Sequence, residues 1–105
     1  MAGLLVHGQQ DDFLADGTAA EVEVLQSHYR PEPLAPLVTP VHTTTANWGH
    51  VPKVYIYTEQ DHAVSYPLQQ RMTAGVSLSS TRTLSTSHSP FLSHPDEVVS
   101  TLEGL

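Results

Sequence analysis

Along the 105 residues the spacing of apolar positions changes several times, and each change marks an element. Val54-Tyr55-Ile56-Tyr57 is an unbroken β-branched and aromatic run, entered through Pro52-Lys53 and left through the polar Thr58-Glu59-Gln60-Asp61. Such a run predicts a strand over residues 51–58 with both faces covered, as in a parallel sheet. Arg82-Thr83-Leu84-Ser85-Thr86 predicts a second strand, more weakly marked because it is mostly hydroxylic, and it runs out into Ser87-His88-Ser89-Pro90-Phe91. Between the strands, Ser65 as N-cap, Pro67 in the first turn, and Leu68 and Met72 facing inward, with Gln69 as a further inward candidate, predict a helix ending before Gly75. Strand, carboxylate, helix, strand, histidine, helix is the order by which a parallel sheet lines loop residues along one edge. Open α/β sheets carry their chemistry at that edge.

The flanking segments are less regular. Asp16-Gly17 is turn chemistry, and Thr18 with Glu21 has capping-box spacing, so a helix is predicted over residues 19–29. Ala19, Val22, Leu25 and Tyr29 share its apolar stripe, with Gln26 at the border and Glu21 and Glu23 toward water. Pro31, Pro33, Pro36 and Pro40 then predict a stiff, extended connector without helix or central strand. Pro33-Leu34-Ala35-Pro36 also fits the P-x-x-P pattern of proline-rich ligands, but the match is too short to carry weight. Residues 41–47 are polar, and Trp48-Gly49-His50 closes the segment. At the far end Ser93 and Asp96 repeat the capping-box spacing, and Pro95, Val98, Val99, Leu102 and Gly104 predict a short terminal helix.

Composition narrows the classes. The 4 basic and 11 acidic residues give a net charge of −7, which repels nucleic-acid phosphates and anionic membrane surfaces. There is no cysteine, which excludes disulfides, thiolate nucleophiles and cysteine zinc sites. No apolar run reaches membrane-spanning length and no basic, signal-like start is present, so the expectation is a soluble, cytoplasmic chain. Seven histidines raise the possibility of a metal site, yet His42, His50, His62, His88 and His94 show no ligand spacing and would have to converge from five loops.

The residues around the two strand ends carry a resemblance. Val51-Pro52-Lys53-Val54-Tyr55-Ile56, Thr58-Glu59-Gln60-Asp61, Gln69-Gln70-Arg71-Met72 and Ser87-His88-Ser89-Pro90-Phe91-Leu92 resemble the C-terminal part of α/β-hydrolases of the methyl-esterase and hydroxynitrile-lyase type. The likeness extends back through Arg30-Pro31-Glu32-Pro33-Leu34. It implies an α/β fold of two parallel strands with flanking helices over residues 48–105, and a partial helical cap with its proline-rich connector over residues 1–47. It implies carboxylic ester hydrolysis by the whole enzyme, on a small ester or acyl substrate, without metal or organic cofactor. By position Asp61 and His88 would be the acid and the histidine of a Ser-Asp-His triad, in which a buried carboxylate fixes the imidazole tautomer and steadies its cation. Glu59 is the rival acid, because strand alternation aims it to the same side as Asp61.

The departure from that family is the nucleophile. No Gly-x-Ser-x-Gly occurs, and the elbow should precede both acid and histidine in chain order. Gly75-Val76-Ser77-Leu78-Ser79 lacks the second glycine and falls between them. Ser77, Ser79, Ser80, Ser87 and Ser89 lie on no strand-to-helix elbow, and Ser87 and Ser89 are expected to satisfy backbone groups of the histidine loop. Leu4-Leu5-Val6-His7-Gly8 has the look of a strand opening an oxyanion loop, but no elbow follows it. Residues 1–16 are read as chain lying just after an absent elbow, or as an unstructured start. Two readings result: a truncated esterase-like piece that is inactive alone, or a non-catalytic binding module on the same scaffold. In either, an unpaired strand edge favours self-association.

Overall fold

The computed structural model describes residues 9–105; the Leu4–Gly8 reading lies outside them. Six α-helices and two strands follow in the order α1 (Gln9–Leu14), α2 (Ala19–His28), α3 (Leu34–Val38), β1 (Val54–Thr58), α4 (Tyr66–Thr73), β2 (Ser80–Leu84), α5 (Pro90–Ser93) and α6 (Pro95–Glu103). A 3₁₀ turn, Trp48–His50, precedes β1. The strands pair in parallel, Val54 beside Ser80 through Thr58 beside Leu84, so both end at the same level. Beyond them the ladder continues, with Glu59 N–H donating to Leu84 O and Gln60 N–H to Thr86 O, each at 3.0 Å. The loops after the two strands are therefore stitched together before their side chains meet.

β1 is half-buried rather than covered on both faces, and Val54 is exposed. The cause is the size of the sheet, which has two strands among the described residues. β2 begins two residues earlier than expected, because backbone pairing with β1 sets its register where a hydroxylic sequence gives little hydrophobic signal.

Helix α4 keeps Gln69 on its buried face, as expected, but not Leu68 or Met72. Leu68 and Met72 are exposed, while Gln69 and Thr73, one turn apart, are buried. Thr73 Oγ1 lies 2.6 Å from Tyr57 Oη, and the Gln69 amide bonds the backbone of Thr58. Polar pairing to the strand end thus overrides hydrophobic pattern.

The prolines of residues 31–40 do not exclude helix. Pro36 is the third residue of α3, where an amide hydrogen has no intrahelical acceptor to lose, so a single turn tolerates it. Residues 30–52 are exposed almost throughout, with Lys53 closing the segment: its Nζ sits 4.0 Å from the Trp48 ring centroid and donates to Trp48 O and Val51 O.

The capping box of α2 is present in both halves, Thr18 N–H to Glu21 Oε2 at 2.7 Å and Glu21 N–H to Thr18 Oγ1 at 3.3 Å. At α6 the N-cap is His94 rather than Ser93, because Ser93 already closes α5. Helix α1 is anchored by Leu14, 0% exposed. Gly17 lies against it: a Cβ there would meet Leu14 Cγ at 2.5 Å and Leu14 Cδ2 at 2.8 Å. Gly17→Ala is expected to destabilise the chain by about 1–3 kcal/mol, measured by denaturant unfolding, through overpacking and not through backbone strain.

Candidate active site at the carboxyl edge of the sheet

Asp61 lies three residues beyond the end of β1 and His88 four beyond the end of β2. Their side chains meet: His88 Nδ1 is 2.8 Å from Asp61 Oδ2. Asp61 is 7% exposed and its carboxylate is fully engaged. Oδ1 accepts the N–H groups of Ala63 and Val64, both at 2.8 Å, and Oδ2 accepts the Thr58 hydroxyl at 2.8 Å as well as His88. Burial alone would push this carboxyl up; the N–H of Val64, the His88 ring, the Thr58 hydroxyl and the N–H of Ala63 outweigh it and hold it below its ordinary 3.8. An ionised carboxylate can only accept, so Nδ1 of His88 carries the hydrogen. Nε2 is then the basic nitrogen, the protonation a general base requires.

Glu59 is separated from this arrangement. Its side chain is exposed and accepts the Ser85 hydroxyl. Strand alternation continued past Thr58 gives the wrong answer, because the chain has already turned there.

A second carboxylate holds the histidine loop from behind. Asp16, in the turn between α1 and α2, accepts the Ser87 N–H at 3.0 Å through Oδ2 and the Ser87 hydroxyl through Oδ1. His94 Nδ1 lies 3.4 Å from the same Oδ2. Burial raises the Asp16 carboxyl, but the Ser87 hydroxyl, the Ser87 N–H, the Ser93 hydroxyl and the Asp16 N–H together lower it below its ordinary value. Phe13 of α1 adds a ring contact with His88, centroids 5.5 Å apart. Nothing local announces this support, since Asp16 and Ser87 are 71 positions apart. Ser87, expected to satisfy loop backbone, instead spends its hydroxyl on a carboxylate.

The other singled-out residues fall elsewhere. Ser79 N–H donates to Lys53 O before β2 begins, at the opposite end of the sheet from His88. Five strand residues separate the two levels, roughly 16 Å of rise, which puts the Gly75–Ser79 stretch beyond reach of the imidazole. Ser89 is buried and its carbonyl accepts Leu92 N–H and Ser93 N–H of the α5 turn. His62 pairs with Asp11 at 3.2 Å, and among the described residues no three His, Asp or Glu side chains lie close enough together to hold a metal ion. A cavity of about 340 Å³ opens beside the acid–histidine pair, bordered by Tyr55, Met72, Phe91 and Val98.

The parallel α/β unit thus carries a buried carboxylate hydrogen-bonded to a loop histidine at the carboxyl edge of its sheet. Comparison gives the family: residues 3–101 match the alpha/beta hydrolase family, and the chain belongs to it. It is 32% identical over 91 residues to a protein of Arabidopsis thaliana named as methylesterase 15, chloroplastic, covering 85% of this chain and 20% of that protein. The solved structure of polyneuridine aldehyde esterase superposes with a TM-score of 0.82 at 20% identity, over 91% of this chain and 39% of the other. A mutant of the same esterase with a histidine replaced by alanine matches equally, at 19% identity. The chain thus spans about a fifth of the curated relative and about two fifths of the solved one.

Proposed function

We propose that this chain is the acid- and histidine-bearing C-terminal part of a carboxylic ester hydrolase, with the serine nucleophile and most of the oxyanion hole supplied from outside it. The observation that carries the reading is the 2.8 Å contact between His88 Nδ1 and Asp61 Oδ2 at the end of two parallel strands. Its similarity to a methylesterase supports ester hydrolysis as the chemistry. His88 Nε2 takes the proton of an incoming hydroxyl as its oxygen bonds the ester carbonyl, and Asp61 stabilises the imidazolium. That proton then goes to the departing alkoxide oxygen as the ester C–O bond breaks, and water repeats the cycle on the acyl intermediate. No helix among the described residues is long and apolar enough to cross a membrane, and the cytoplasm is the proposed location.

Acyl transfer has no attacking group within these residues, since the nearest elbow-like serine is at the wrong end of the sheet. The purified chain is expected to hydrolyse p-nitrophenyl acetate no faster than buffer, with His88→Ala indistinguishable from it. Turnover that His88→Ala abolishes would sink the proposal that the nucleophile lies elsewhere.

The second reading, a non-catalytic interaction module, draws on surface chemistry. Phe91 is 63% and Met72 58% exposed, and both border the cavity beside His88. With one edge of each strand unpartnered among the described residues, association with another copy is the corresponding proposal. Light scattering with thermal unfolding separates the two: a monomer that melts cooperatively favours the module, and a self-associating, weakly cooperative chain favours the incomplete enzyme.

A further inference from the structure

The Gln69 side chain is 1% exposed and sits under the acid turn, and its hydrogen bonds run to both ends of that turn. Oε1 accepts the Thr58 N–H at 3.0 Å, which fixes the amide orientation, because Nε2 could not accept that hydrogen. Nε2 donates to Val64 O at 2.7 Å and to Thr58 O at 2.9 Å, with Thr58 Oγ1 sharing the second hydrogen at 3.2 Å. Residues 58 and 64 are therefore clamped by one amide, and Asp61 lies midway between them.

Both clamped residues also donate to the Asp61 carboxylate. The Thr58 hydroxyl receives the shared Nε2 hydrogen and so turns its own hydrogen to Asp61 Oδ2, the oxygen that holds His88. The Val64 peptide, held at its carbonyl by Gln69, presents its N–H to Oδ1. We infer that Gln69 is a positioning residue for the acid–histidine pair, acting through the Thr58 hydroxyl and the Val64 peptide to keep Asp61 supplied with donors. It rests on the proposed roles of Asp61 and His88 and adds the residue that sets how strongly the acid pulls on the imidazole.

The consequence is a set point. Each donor on the carboxylate disperses its charge and weakens its hold on imidazolium, so removing donors makes His88 bind its proton more tightly. The other ionisable groups around the pair are Asp16, held by Ser87 with His94 beside it, Glu59, held by Ser85, His62, paired with Asp11, and Tyr55, whose hydroxyl is pushed up by burial, Tyr57 and Asp61. None of these is bonded to Gln69, so a change made at Gln69 reaches His88 by way of Asp61.

The test follows the His88 ring signals by NMR as pH is varied, in the full chain and in Thr58→Ser, Thr58→Val, Gln69→Met and the Thr58→Val/Gln69→Met double variant. Thr58→Ser should keep the native midpoint. Thr58→Val and Gln69→Met should each raise it by about 0.5 to 1 pH unit, about three- to tenfold in proton affinity, and the double variant should rise no further than the larger single change. A folded Gln69→Met protein with the native midpoint, or additive effects in the double variant, overturns the inference. Should Gln69→Met not fold, Thr58→Val with an unmoved midpoint overturns it. The readout needs no turnover, so a failed link from Gln69 shows in the midpoints alone, whereas failure of the proposed function shows as turnover by the purified chain that His88→Ala abolishes.

Discussion

Asp61→Ala is expected to lower the unfolding free energy by about 3 kcal/mol, read as a lower denaturation midpoint with an unchanged slope. The carboxylate is buried and accepts four hydrogen bonds, two of them from the backbone N–H groups of Ala63 and Val64. Alanine leaves those donors to a cavity that water fills imperfectly. Asp61→Asn separates this structural cost from orientation of the imidazole. The amide oxygen can still face the Ala63 and Val64 N–H groups, while the NH₂ group must face Thr58 and His88. An NH₂ donates to His88 Nδ1, so the ring hydrogen moves to Nε2 and the tautomer reverses. Nitrogen chemical shifts of the His88 ring check this directly, and a variant that keeps its hydrogen on Nδ1 would mean that Asp61 does not set the tautomer. Under the proposed role of His88 as general base in an esterase, the same reversal removes that base and is expected to cost about 10⁴-fold in kcat.

Strand β1 was readable because Val54, Tyr55, Ile56 and Tyr57 have one plausible use, whereas Leu68 and Met72 misdirected the reading of α4. The inward place of Gln69 is held by pairing with Thr58, a partner that hydrophobic periodicity does not see. Pro36 misled for the opposite reason: the rule against proline in helices concerns the interior, and α3 is too short to have one. Asp61 and His88 came from the flanking words of the family, since a spacing of 27 positions around one strand fits many unrelated pairs. Asp61 against Glu59 could be resolved only by coordinates, because the turn at residues 59–60 breaks the alternation on which the choice depended. Asp16 was beyond reach altogether, as a turn aspartate whose partner lies across the chain.

That partner makes Asp16 the second residue whose removal should be felt widely. Asp16→Ala is expected to cost about 2 kcal/mol and to loosen the histidine loop, because Ser87 loses the acceptor of both its N–H and its hydroxyl. Amide exchange at Ser87 should quicken while exchange in β1 changes little. The pH dependence follows from the same contacts. Asp16 and Asp61 both titrate below 3.8 in the folded chain, so between the folded and unfolded values the unfolded chain binds more protons. Their contribution is fully present above the unfolded value and is lost as pH falls through the depressed folded ones. Melting temperature should therefore drop on acidification below about pH 4, and in Asp16→Ala that drop should be shallower, one of the two linked carboxylates being gone. Equal acid slopes in the two proteins would show that Asp16 is not held in its ionised form by the histidine loop, and would leave Ser87 without the charge that fixes it.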